Sequence, residues 1–173
     1  WVFRSFTTER LTEPHEAEII DTWFEHMHAV RERLTPRADP KVIHWSPAEE
    51  TQLETAWNAA GRRHPEKDWP HPNWFDFLSK VVREEPIAVR GAHGFGLKTV
   101  TKGMQQLGLV ETKWGDGPTD GLGAMIGAWW CEHEAEARGG LLIDLELMRD
   151  IRAYNEVDCR AMSEIVELFR SRY

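Results

Sequence analysis

The sequence predicts an α/β fold in which a small mixed sheet is flanked by helices. Segments typical of strands alternate with segments typical of helices, which is the order found in α/β domains. The helical segments are the longer ones, so the visible sheet is expected to be small. The predicted strands are residues 2–6, 41–45 and 87–89, and the predicted helices are residues 14–36, 46–61, 97–107, a helix through Trp130 and Ala137, and residues 143–170.

The elements of the amino-terminal half follow from short-range patterns. Residues 2–6 alternate in polarity as a strand does. Pro14 suits the first turn of a helix, and apolar residues then recur every three or four positions until about Pro36. Residues 41–45 read as a short strand. These patterns predict a strand, a long helix and a second strand, in that order.

The remaining elements are predicted mainly from their ends. Ser46 and Pro47 open a helix that is expected to end near Gly61, and a loop rich in Pro, His and Trp follows over residues 62–74. Residues 74–78 fit the start of a strand or of a helix, and the pattern does not decide between them. Glycines that end or interrupt the later helices stand at Gly108, Gly139 and Gly140.

Length, charge and cysteine content place the chain in a broad class. Its 173 residues are enough for one domain with a sizeable core, and we predict a single domain over residues 1–173. The net charge of −8 argues against broad electrostatic capture of duplex DNA. Two cysteines and the lack of a signal-peptide pattern predict a cytoplasmic protein. Because the chain begins within a strand-like segment, we expect it to be part of a larger polypeptide.

The most informative segment lies in the last predicted helix. Tyr154 and Asp158 stand on one face of this helix, together with apolar residues spaced by three and four. An ionised carboxylate on a buried face is costly unless something compensates its charge, and a divalent cation is one such compensation. The alternative is structural, because Tyr-x-x-x-Asp is a loose pattern and many helices carry Asp at the rim of the apolar face.

Glu49 is the second candidate acid, since it lies where a strand runs into a helix. Sites in open α/β folds gather at such junctions. Two carboxylates that converge, here Glu49 and Asp158, fit two-metal phosphoryl transfer. The alternative is a capping box, because Ser46 and Glu49 have the spacing of that motif and Pro47 suits the first helical position.

Two further residues are candidate site residues, and each also has a simple structural interpretation. Asp76 has apolar neighbours and is a candidate acid near the site, or a helix cap. Lys98 follows Gly96 at the start of a helix, where it is suited to contact a phosphate, or it is a solvated lysine.

Several of these segments resemble a known family. Tyr-Asn-Glu-Val-Asp-Cys at 154–159, Gly-Leu-Lys at 96–98 and Ile-His-Trp-Ser-x-x-Glu at 43–49 are similar to the YprB-type ribonuclease H-like domain, within the DEDDy 3′–5′ exonuclease superfamily. That domain often follows a RecB-like nuclease domain. The resemblance covers roughly residues 1–170. It implies a ribonuclease H-like fold that lacks its first strands here, because the first motif, Asp-x-Glu, has no match in the chain.

The resemblance also implies a function. It implies a metal-dependent exonuclease acting on single-stranded nucleic acid, in which Asp158 and Glu49 bind Mg²⁺ or Mn²⁺ and Tyr154 orients the attacking water. His44 stands at the position of the family's asparagine, and with Lys98 it is expected to contact substrate. Two other functions stay open. One is an inactive module that positions a fused or partner RecB-like nuclease or helicase, and the other is a helical binding domain with no nucleic-acid role.

Overall fold

The computed structural model describes residues 1–34, 39–85, 87–115 and 121–172, without the side chains of residues 47–50 and 53. Helices make up 63% of the described residues and strands 4%. The predicted α/β fold with a mixed sheet is therefore wrong: the chain is mostly helical, and the sheet in its described part has two parallel strands. The ribonuclease H-like architecture that the resemblance implied is overturned with it.

In the described part of the chain, five α-helices match the predicted helices within a few residues. They are α1 (Glu13–Leu34), α2 (Pro47–Arg63), α3 (Leu97–Gln106), α4 (Gly121–Arg138) and α5 (Glu146–Arg172). The strands are β1 (Val42–His44) and β2 (Trp74–Asp76). A π-helical segment (Leu78–Arg83) follows β2, and a 3₁₀ turn (Leu142–Asp144) precedes α5.

Two predicted strands, residues 2–6 and 87–89, are not strands. The amino-terminal segment is instead hydrogen-bonded to α5, where Arg152 Nε donates to Ser5 Oγ at 3.1 Å. Further along, the backbone N–H of Ile87 bonds to the carbonyl of Val82, which closes the preceding helical segment. Alternating polarity gives a strand only where a neighbouring strand completes the ladder of hydrogen bonds, and in the described part of the chain neither segment pairs with one.

The described residues fall into two compact units. The amino-terminal unit is Thr12–Ala88, and the carboxy-terminal unit combines Trp1–Leu11 with Val89–Tyr173. That the whole chain forms one domain stays a prediction. No helix in the described part of the chain is long and apolar enough to cross a bilayer.

The amino-terminal unit is built around a β–α–β arrangement. Strands β1 and β2 pair in parallel, and α2 connects them, as a parallel pair requires a crossover. Trp45 and Phe77, which directly follow the two strands, are buried and stack with ring centroids 6.1 Å apart. The short sheet therefore ends in a packed aromatic layer.

Two ion pairs fasten α1 to the end of α2 and the loop behind it. Arg63 pairs with Glu16, donating from Nε at 2.8 Å, and Lys67 pairs with Asp21. Trp69 Nε1 also donates to Asp21 at 2.8 Å. The hydrogen bonds from Arg63 and Lys67 hold the pKa of Glu16 and of Asp21 below their ordinary values of 4.5 and 3.8.

These depressed pKa values predict an acid-sensitive unit. A carboxyl whose pKa is lower in the folded state stabilises that state fully above its unfolded pKa, and the contribution is lost as the pH falls through the folded pKa. We therefore expect the urea midpoint to fall when the pH drops below about 4.5. The double variant Glu16→Gln/Asp21→Asn should show a shallower fall over this range. An equal slope in both proteins would contradict the assignment.

The carboxy-terminal unit is a packing of three helices, in which α5 contacts both α3 and α4. Small side chains on one face of α4 bring it close to α5. A Cβ at Gly127 would lie 3.1 Å from Ile151 Cδ1, so this position has little room for a side chain. Ile151 and Ile165 of α5 are buried, as the apolar spacing predicted.

The face of α4 opposite its small residues carries large apolar side chains that are exposed. Four of them recur at helical spacing along this face, and a fifth flanks it. Helix α4 therefore has a packed face of small residues and an exposed face of large ones. The exposed residues are Leu122, Met125, Ile126, Trp129 and Trp130.

Candidate functional site

Lys98, Tyr154 and Asp158, which the sequence marked as candidates, belong to one cluster in the carboxy-terminal unit. Lys98 lies in the first turn of α3, and its Nζ is 4.5 Å from the centroid of the Tyr154 ring on α5. The same Nζ is 5.8 Å from the ring of Trp114. An ammonium over an aromatic face is attracted by the negative charge density of that face. The lysine thus lies next to the tyrosine that the resemblance assigns to water positioning.

Asp158 joins this cluster through Trp114. The indole Nε1 donates to Asp158 Oδ1 at 2.7 Å, and the carboxylate is half-buried. Asp158 lies one turn of α5 after Tyr154, so both side chains are on the same side of the helix. We call Lys98, Trp114, Tyr154 and Asp158 the Asp158 cluster. It combines a carboxylate, an ammonium group and two aromatic faces.

Trp114 was not predicted from the sequence as a site residue. It lies in an irregular segment where no periodicity marks buried positions, and its partner is 44 residues away along the chain. The residue type itself was a signal for this contact, since the N–H of a partly buried tryptophan usually donates to an acceptor.

The amino-terminal unit holds the other described candidates, His44 and Asp76. They are paired residues in the register of β1 and β2, so both stand at the carboxyl ends of parallel strands. His44 is buried, its Nδ1 is 2.9 Å from the carbonyl oxygen of Ser46, and its ring packs edge-on against Trp74. The two polar side chains therefore lie at the sheet edge where ligand sites form in parallel sheets.

Asp76 acts as a cap for the helical segment that follows β2. Its Oδ1 accepts from the backbone N–H of Ser79 at 3.1 Å, and its Oδ2 accepts from the Ser79 hydroxyl at 2.6 Å. This is the helix-cap alternative that the sequence left open. If Asp76 also had a catalytic role, its carboxylate would have to perform it while both of its oxygens accept hydrogen bonds from Ser79.

The cap predicts a stability effect for Asp76. The substitution Asp76→Ala should lower the free energy of unfolding by about 1 kcal/mol, because the partly buried backbone N–H and hydroxyl of Ser79 lose their acceptor. Asp76→Asn, which keeps one acceptor oxygen, should cost less. Urea unfolding followed by circular dichroism measures both. Equal stability in Asp76→Ala and the wild type would contradict the cap.

Glu49 lies in the first turn of α2, as predicted, but its side chain is outside the described residues. Its helix belongs to the amino-terminal unit, whereas Asp158 belongs to the carboxy-terminal unit. The convergence of Glu49 with Asp158 on one metal pair therefore stays a prediction.

The described residues do not by themselves fit a divalent metal. Mg²⁺ prefers about six oxygen ligands in octahedral geometry. The Asp158 cluster brings one carboxylate, and one of its oxygens accepts from Trp114. Within the described ranges no group of three or more His, Cys, Asp or Glu side chains is placed to hold an ion.

Comparison of the chain with protein-family models, with curated proteins and with solved structures finds no match. The family resemblance accordingly rests on the short motifs alone.

Proposed function

We propose that the chain is a metal-dependent 3′–5′ exonuclease domain that hydrolyses phosphodiester bonds in single-stranded nucleic acid. The observation that carries this proposal is the Asp158 cluster. Three residues chosen from the sequence for binding phosphate, orienting water and binding metal lie in contact or one helical turn apart. Phosphodiester hydrolysis needs positive charge near the scissile phosphate and a positioned water, and these are the roles assigned.

Each side chain of the cluster has a defined role in the proposal. Asp158 would be a ligand of a Mg²⁺ or Mn²⁺ ion, which when bound would supply charge neutralisation and activation of water; Glu49 is the other acid that we propose as a metal ligand. Tyr154 orients the attacking water. Lys98 contacts a phosphate of the strand and holds it beside Tyr154. In proteins that bind single strands, bases stack on aromatic faces of the kind that Tyr154 and Trp114 carry.

The proposed substrate is a single-stranded end, and DNA is the first choice. The formal charge of −8 makes a broad electrostatic grip on duplex unfavourable, while a local site with one lysine and two aromatics suits an unpaired end. We place the protein in the cytoplasm, with a fused or partner RecB-like nuclease or helicase. Both cysteines, Cys131 and Cys159, are free thiols, which fits a reducing compartment.

The second candidate function is the non-catalytic module that positions a partner nuclease or helicase. It is favoured by the structural use of the acids: both oxygens of Asp76 accept bonds from Ser79, and Asp158 accepts one from Trp114. In this alternative the Asp158 cluster binds a strand without cleaving it.

A single assay separates the two candidates. The natural polypeptide that contains this chain is incubated with 5′-labelled single-stranded DNA and RNA, with Mn²⁺ or with chelator. Progressive shortening from the 3′ end that requires Mn²⁺ supports the exonuclease. Binding measured by anisotropy without any shortening favours the module. Neither binding nor shortening would contradict both.

A further inference from the structure

The backbone just before Trp114 is fastened to α5 by one carboxylate. Glu164 accepts from the backbone N–H of Glu111 at 2.8 Å, from the backbone N–H of Thr112 at 3.0 Å and from the Thr112 hydroxyl at 2.7 Å. Three bonds to two consecutive residues fix the path of the chain here. Burial alone would raise the pKa of Glu164, but these hydrogen bonds outweigh it and the pKa lies below the ordinary 4.5.

The same segment is held from its other side by α3. Gln105 Nε2 donates to the carbonyl oxygen of Thr112 at 3.1 Å, and Thr112 itself is buried. Helix α3 also carries Lys98, so one helix contacts the segment and provides the cation of the Asp158 cluster. The segment from Glu111 to Trp114 is therefore held between α3 and α5.

The distances along α5 and along the segment from Glu111 to Trp114 explain why Trp114 contacts Asp158. From Glu164 back to Asp158 the helix rises about 9 Å, at 1.5 Å per residue. From Thr112 to Trp114 an extended chain advances about 7 Å. The segment thus runs beside α5 in the opposite direction, and the indole makes up the remaining distance to the carboxylate. Fixing Thr112 at Glu164 places Trp114 at Asp158.

We propose that Trp114 is a positioning residue for Asp158, and that Glu164 holds Trp114 in place to perform this role. The indole N–H can only donate, so it selects one carboxylate oxygen and fixes the rotamer of Asp158. Donors of this kind orient carboxylates that serve a metal or a substrate. The catalytic part of this inference rests on the proposed exonuclease function, whereas the contact itself does not.

The contact is tested by NMR of the nine indole N–H groups. The Trp114 signal is assigned as the one missing in Trp114→Phe. We expect Asp158→Asn to move this signal and to speed its exchange with solvent by roughly tenfold, because a hydrogen bond to a charged acceptor is weakened. Glu164→Gln should have the same effect, because the segment is released. Glu167→Gln, an exposed acid on the same helix, is the matched control.

The positioning role is tested by kinetics on the natural polypeptide. Trp114→Phe keeps an aromatic face for Lys98 but removes the donor, so kcat should fall by about 10–100-fold with KM changed less than about twofold. Trp114→His, which restores a ring N–H, should recover part of the loss. A Trp114 indole signal that ignores Asp158→Asn overturns the inference.

The two proposals fail in different ways. A wild-type kcat in Trp114→Phe overturns the positioning role and leaves the exonuclease standing. A wild-type protein without nuclease activity overturns the proposed function and with it the catalytic role of Trp114, even where NMR shows the indole bonded to Asp158.

Discussion

Replacing Asp158 by Asn is expected to lower the Mn²⁺-dependent exonuclease rate of the natural polypeptide by roughly 10²–10³-fold. Asn keeps the size of the side chain and an oxygen that accepts the Trp114 hydrogen bond, so the fold and the cluster should survive. What is lost is the negative charge that, in the proposed function, holds a divalent cation. The measurement is kcat on 5′-labelled single-stranded DNA at saturating Mn²⁺, with circular dichroism to verify the fold.

The matched control for this variant is Glu156→Gln. Glu156 is on the same helix two residues away and forms a partly exposed ion pair with Arg160 at 3.0 Å. Its replacement removes the same charge at a position outside the Asp158 cluster, and activity should stay within about twofold because an exposed ion pair contributes little. Equal activity in Asp158→Asn and Glu156→Gln would eliminate the catalytic assignment of Asp158.

The largest stability effect is expected at Ile165. This side chain is completely buried on α5, the helix that contacts both α3 and α4. Ile165→Ala should lower the free energy of unfolding by about 2–5 kcal/mol, through lost burial and the cavity left behind. Such a loss is a large part of the 5–15 kcal/mol that stabilises a typical domain. Urea unfolding at pH 7 measures it.

A graded series checks the mechanism of this loss. Ile165→Val removes one methyl group and should cost about 0.5–1.5 kcal/mol. Glu167→Gln, two residues on and exposed, should be neutral within about 0.5 kcal/mol. If Ile165→Ala and Glu167→Gln were equally stable, α5 would not be the packed centre of this unit.

The sequence was a good guide to the helices because they depend on local information. Helix α1 begins within one residue of Pro14, and α3 ends two residues before Gly108. The apolar spacing of α5 correctly indicated which face of that helix is buried. Strands depend on partners elsewhere in the chain. Within residues 41–45, strand β1 pairs with β2. Residues 2–6 and 87–89 pair with no strand in the described part of the chain, although their local sequence patterns were also typical of strands.

The site was predicted in part for the same reason. Tyr154 and Asp158 share a helix face, so their neighbourhood could be foreseen from spacing alone. Lys98 reaches them from another helix, and this contact needed the tertiary fold. Trp114 and Glu164 were missed, since a loop segment held by long-range hydrogen bonds leaves no periodic signal in the sequence.

Asp76 shows how a structural role can look like a functional one. A buried acid at the carboxyl end of a strand is typical of active sites in α/β proteins, yet here Asp76 caps the next helical segment by accepting from the serine three positions later. The Asp-x-x-Ser spacing was visible in the sequence and was the better indicator. The same caution applies to Glu49, whose spacing from Ser46 matches a capping box.

Paramagnetic NMR with Mn²⁺ most directly tests the proposal that the Asp158 carboxylate holds a divalent cation. Bound Mn²⁺ should selectively broaden the Trp114 indole signal and the Tyr154 ring signals, and Asp158→Asn should abolish this broadening while Glu156→Gln preserves it. If Mn²⁺ left the Trp114 signal sharp while broadening signals elsewhere, or broadened it equally in Asp158→Asn, the claim would be contradicted.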